Sequence, residues 1–99
     1  MTMSMNLQTN PAAGLIRDEL ETRGITASRA AGDMHIPRSR LSDIFSGRKG
    51  VSADTALRLE RYLGVSASLL LRLQSDFDLS KATREKGMEV KRTIKPLVA

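Results

Sequence analysis

The sequence predicts an all-α domain of five helices with a C-terminal helical extension or tail. Three observations predict it. The 99 residues are 40% hydrophobic, yet Phe45, Tyr62 and Phe77 are the only aromatics and there is no Trp or Cys. A core drawn from Leu, Ile, Val, Ala and Met suits a small helical bundle better than a β-sandwich. Apolar residues also recur at three- and four-residue spacing, the period of one helix face. Finally, residues 26–50 read as two short helices joined by a tight turn, the second polar and basic at its start, which is the pattern of a helix-turn-helix.

The elements follow in order. Residues 1–10 are polar and Met-rich without a period, and read as a flexible arm. Pro11 suits the first turn of a helix, because its fixed φ is helical and it needs no N–H partner. That helix runs to about Arg23, with Leu15, Ile16 and Leu20 inward, and Gly24 ends it. Thr26 caps the next helix, about 27–34, whose narrow apolar face is Ala30, Ala31 and Met34. Pro37 suits the start of the third helix, about 37–46, which turns Leu41, Ile44 and Phe45 inward. Gly47 stands where a left-handed C-terminal cap is needed. Ser52 caps the fourth helix, with Asp54 in its first turn, where the helix dipole favours an anion. Its core stripe is Ala56, Leu59 and Leu63, and Gly64 terminates it. Ser66 caps a fifth helix, about 67–79, with Leu69, Leu70, Leu73 and Phe77 along it. This helix is more apolar than one face of a small bundle requires, so it is either central to the core or buried in a partner. The charged stretch from Ser80 to Thr93 is expected as a further helix, broken or ended at Gly87, and Pro96 makes the apolar end extended. The domain division is therefore an arm over 1–10, a DNA-binding domain over 11–79 and a charged extension over 80–99.

Composition excludes several classes of function. Without cysteine there is no disulfide framework and no thiolate metal site. His35 is the only histidine, so it is read as a turn residue rather than a ligand, and no metal or cofactor is expected. A nucleophile–base arrangement has no second histidine to draw on, and no Gly-rich phosphate loop is present, so an enzyme is not expected. No apolar run approaches the length of a membrane span, and no signal peptide is visible, which predicts a cytoplasmic chain.

The net charge of +5 is unevenly placed. Arg38, Arg40, Arg48 and Lys49 stand against Asp43 alone within residues 38–49, and the extension is basic as well. Clustered cations suit a polyanion, because each neutralised phosphate releases condensed counterions. An α-helix fits the major groove, and residues at its N-terminal end reach base edges. Arg38 is the expected base reader, since a guanidinium pairs with guanine O6 and N7. Ser39 and Ser42 share a face, and Asp43 either accepts from cytosine N4 or repels phosphate. Arg40 is expected to brace the backbone or a neighbouring helix. Arg48 and Lys49 are expected on phosphates. Thr26 and Ser28 sit where a helix N-terminus can meet a phosphate, although capping alone accounts for Thr26. One protomer reads few base pairs, so a dimer on an inverted repeat is expected, with Leu69, Leu70, Leu73 and Phe77 as its candidate surface; Leu73 suits the core equally well.

Residues 14–79 resemble the HigA-type antitoxins, a branch of the phage-repressor-like helix-turn-helix proteins. The most selective strings are GVSADTALRLERYLG and LLRLQSDFDL, and the closing IKPLVA resembles the end of some members. The chain departs from the pattern at Asn10-Pro11-Ala12-Ala13, where members usually open His-Pro-Gly-Glu. It also has Ala27 where the wider class often carries a phosphate-binding Gln, Leu69-Leu70 for a common Phe-Trp, and His35 at a usual turn Gly. The resemblance implies a homodimer that binds an operator in its own promoter, becoming nucleoid-associated when bound. It also implies a HigB-type toxin partner, RelE-like and mRNA-cleaving, and no enzymatic activity of its own. A stand-alone repressor without a toxin, or an interaction module that no longer binds DNA, are the other readings.

Overall fold

The structure, a computed structural model, describes residues 9–98. It contains α1 (Pro11–Thr22), α2 (Ala27–Met34), α3 (Arg38–Ser46), α4 (Ala53–Leu63) and α5 (Ala67–Thr93). Of the expected arm, residues 1–8 lie outside the described residues. Its last residue is part of the fold, because the Asn10 side chain caps α1 by accepting from the Ala12 N–H at 2.9 Å.

Each of the other caps is local chemistry. Thr26, Ser52 and Ser66 accept from the N–H three residues on, at 3.1, 3.2 and 3.1 Å. Such a cap contributes about 1 kcal/mol. Gly47 and Gly64 end α3 and α4 in the left-handed region, with φ of 82° and 77°, where a Cβ is strained. His35 ends α2 in the same region at φ 58°. This turn therefore carries a side chain where glycine is at ease. Replacing His35→Gly is expected to stabilise the domain by about 0.5–1 kcal/mol, the relief of left-handed strain less the extra freedom of the unfolded chain. A thermal melt of the variant checks it, and a lowered midpoint would contradict it.

The core is a single aliphatic cluster in which Ile16, Leu41, Ile44, Leu59 and Leu70 are fully buried. α3 packs chiefly on α2 and α1, which fixes it by its inner face and leaves its outer face to solvent. Two arginines tie helix ends across the bundle. Arg58 of α4 donates to the Met34 carbonyl that ends α2 at 2.9 Å, and Arg23 donates to the Leu63 carbonyl that ends α4 at 2.8 Å. These carbonyls have no partner within their own helices. Tyr62 donates to the Asp33 carboxylate, joining α4 to α2. That bond, followed by burial and the Asp33 charge, holds the phenol above its usual range, against a smaller lowering by Arg29.

Two expectations are corrected. The helix expected to stop near residue 79 runs unbroken for 27 residues, and Gly87 neither breaks nor ends it. Glycine in a helix interior costs about 1 kcal/mol, while the flanking Lys, Arg, Glu, Met and Ala are good helix formers and no proline intervenes before Pro96. Residues 80–93 of the charged extension are therefore the distal half of α5, exposed except at Gly87. Leu70 also does not belong to a dimer surface. It is 0% exposed within the protomer, packed into its own core. No helix among the described residues is long and apolar enough to cross a membrane.

Candidate nucleic-acid interface

The outer face of α3 follows from its inner one. With Leu41, Ile44 and Phe45 inward, the 100° step of the helix puts Ser39, Ser42 and Ser46 outward, where they are exposed. The middle of this face is short and hydroxylated, so the backbone of α3 can approach a groove floor closely. Arginines stand on its two edges. On the α2 side Arg38 donates to Ser28 Oγ at 2.7 Å. On the α4 side Arg40 pairs with Asp54 at 3.7 Å, and Asp54 also takes Arg58 at 2.9 Å. Arg40 thus reaches across to the first turn of α4, while Arg38 and Ser28 come together as a pair.

The loop after α3 is held by its own contacts. Asp43 lies half-buried, and its carboxylate binds Arg48 at 2.8–2.9 Å while its carbonyl accepts from the Lys49 N–H at 3.2 Å. In the free protein Asp43 is neutralised by a loop cation, and Arg48 is folded back toward α3 rather than extended. Lys49 is exposed, and among the described residues its ammonium has no ion-pair partner. Ser39, Arg40, Asp43, Lys49 and Ser52 border a hollow of about 410 Å³ between α3 and the start of α4. Thr26 Oγ1 is occupied by its capping bond.

Gln74 was not legible as part of the site's scaffold, yet it sets the position of the loop. Its amide accepts from the Val51 N–H and donates to the Val51 carbonyl at 2.8 Å, and its oxygen also accepts from Asn10 at 3.2 Å. Val51 is 2% exposed, so its backbone groups have little other recourse. A Cβ on Gly50 would lie 2.5 Å from Gln74 Oε1, so a side chain here obliges the Gln74 amide to shift. The available signal was a lone amide one turn after Leu70, on the face of α5 that otherwise carries Leu70 and Phe77. Phe45 is covered from outside by the Arg17 guanidinium, 4.8 Å from its ring centre. No group of three or more His, Cys, Asp or Glu that could hold a metal is found among the described residues.

The fold is shared with known proteins. A family model described as helix-turn-helix matches residues 16–70, more than half of the chain. An antitoxin HigA of Pseudomonas aeruginosa, solved with the higBA promoter, is 32% identical with a TM-score of 0.79, covering 88% of this chain and 96% of that one. The chain belongs to the helix-turn-helix family, on its HigA-type antitoxin branch. A HigA-family addiction module antidote protein from Coxiella burnetii is 27% identical, with a TM-score of 0.78 over 91% of this chain and 98% of that one. Among curated proteins, virulence-associated protein I of Dichelobacter nodosus is 38% identical over 73 residues, 73% of this chain and 68% of that protein. The structural likeness to HigA-type proteins extends well beyond residue 70, which brings much of α5 within the shared architecture.

Proposed function

We propose that this HigA-type chain is an antitoxin that binds and neutralises a small RelE-like, mRNA-cleaving toxin. As a homodimer it represses its own operon by binding a palindromic operator through residues 37–46. The observation that supports DNA binding most is the outer face of α3, with short hydroxyl side chains in the middle and Arg38 and Arg40 at the edges. The Pseudomonas relative was solved with promoter DNA, which is the partner this surface chemistry suits.

In this reading Ser39 and Ser42 lie against base edges. Arg38 exchanges Ser28 for guanine O6 and N7. Arg40, Arg48 and Lys49 meet phosphates on either side, adding affinity without sequence information. Asp43 keeps Arg48 in place until phosphate competes for it. Two copies reach half-sites one helical turn apart, about 34–36 Å. Regulation of this kind needs no catalytic group.

Lys49→Ala is expected to weaken binding to all DNA sequences alike and to lower the salt slope by about one unit. Titrations at several salt concentrations on operator and unrelated DNA check it, and a loss confined to the operator would contradict the phosphate role. The toxin half is tested by growth of cells expressing the neighbouring small reading frame, with and without this chain. Growth arrest relieved by the chain is the expected result. A harmless neighbour, or arrest without rescue, overturns the antitoxin reading in favour of a stand-alone repressor.

A further inference from the structure

Arg17 belongs to α1 and is exposed, yet its guanidinium lies over the Phe45 ring of α3, 4.8 Å from the ring centre. Glu21 stands four residues further along α1, at the spacing of an intrahelical ion pair. No such pair forms, and among the described residues the ring is the partner that Arg17 takes. A cation–π contact holds the cation in place without neutralising it. Arg17 therefore keeps its whole charge, fixed at the border of α1 and α3.

That border belongs to the outer surface of the helix-turn-helix. Phe45 follows Arg38 by seven residues, which brings it back to within about 20° of Arg38 around α3, two turns and about 10 Å further along. The two residues share one flank of the helix, the side on which α2 and α1 pack. Arg40 points to the opposite flank, toward Asp54, and Lys49 borders the hollow on that side. A helix in the major groove has a phosphate backbone along each flank. On the α4 side Arg40 and Lys49 are available for it. On the other side the cation of α3 itself is Arg38, which is taken up with guanine.

We propose that Arg17 is a phosphate-binding residue of the DNA interface, presented by Phe45 to the backbone along the α1 and α2 flank of α3. This rests on the DNA-binding reading above and adds a contact from outside the helix-turn-helix motif. A guanidinium stacked by its face keeps its N–H donors at its edge, where they suit two phosphate oxygens. Because Phe45 already orders the side chain, less freedom is lost when phosphate is bound.

The test uses the full-length chain, a labelled duplex from upstream of its own gene and an unrelated duplex of equal length, each titrated at several salt concentrations. Arg17→Gln is expected to weaken binding to both duplexes by about threefold to tenfold and to lower the salt slope by about one unit. Arg17→Lys keeps the cation and is expected to keep the slope. Arg72→Gln removes the same charge from the exposed surface of α5, which packs on α1 and α4, and is expected to change neither quantity. A slope unchanged by Arg17→Gln, with or without a loss of affinity, overturns the phosphate contact. A slope lowered as much by Arg72→Gln or by Arg17→Lys overturns it too, as an effect of net charge or of packing. An unmodified chain that binds neither duplex overturns the DNA reading itself, whereas one that binds both and ignores Arg17→Gln overturns this contact alone.

Discussion

Reversing both edge charges of α3, with Arg38→Glu and Arg40→Glu together, is expected to abolish operator binding while leaving a folded domain. Each substitution replaces a cation with an anion on a surface facing phosphates, and Arg38 also loses its pairing with guanine. A good bidentate contact is worth about 1–3 kcal/mol by itself. The double variant should therefore lose at least about 3 kcal/mol, more than a hundredfold in Kd. The cost to folding is small by comparison. The Arg38–Ser28 bond and the Arg40–Asp54 pair are both exposed, and exposed ion pairs contribute about 0–1 kcal/mol. A carboxylate in place of the Arg40 guanidinium adds only a weak repulsion with Asp54 in high dielectric. Fluorescence anisotropy on labelled operator, with a melt of the same sample, checks both halves. Operator affinity that survives the double reversal would leave the helix-turn-helix as an interaction module and remove α3 from DNA recognition.

Gln74→Ala is expected to be the most destabilising polar substitution in the chain. Gln74 is only partly exposed, and its amide satisfies both backbone groups of Val51 and meets Asn10. Alanine leaves the N–H and C=O of a buried residue without partners, and each orphaned group costs about 1–3 kcal/mol, less where water enters the space left behind. A loss of about 2–3 kcal/mol corresponds to a midpoint lowered by roughly 10–20 °C in a domain of this size. Gly50→Ala reaches the same contacts from the other side, by pushing Gln74 away. Both variants also loosen the loop carrying Arg48 and Lys49, so non-specific DNA affinity should fall with stability. A midpoint lowered by less than about 3 °C would show that the clamp does not hold the loop.

The features legible in the sequence are those decided within a few residues. Thr26, Ser52 and Ser66 cap their helices, and Gly24, Gly47 and Gly64 take left-handed turns at the ends of α1, α3 and α4. The inward stripes of α1 through α4 follow from their spacing. What escaped depends on partners distant in sequence or on a balance of small terms. Leu69, Leu70 and Leu71 are adjacent and point about 100° apart, so periodicity alone could not say which of them the core takes. The continuity of α5 through Gly87 sets one poor helix former against many good ones. The Asp43–Arg48 pair bridges a turn, outside any helical spacing. The Gln74 clamp joins residues 23 apart in the chain, and no local pattern in α5 points to Val51.

The measurement that tests the central claim most directly is a hydroxyl-radical footprint of the full-length chain on DNA upstream of its own gene. Binding through α3 of two copies predicts two protected segments of related, inverted sequence, centred about one helical turn apart. Protection should vanish with Arg38→Glu/Arg40→Glu at the same protein concentration. Uniform protection that follows only salt, or two segments unchanged by the double reversal, would contradict sequence reading by α3.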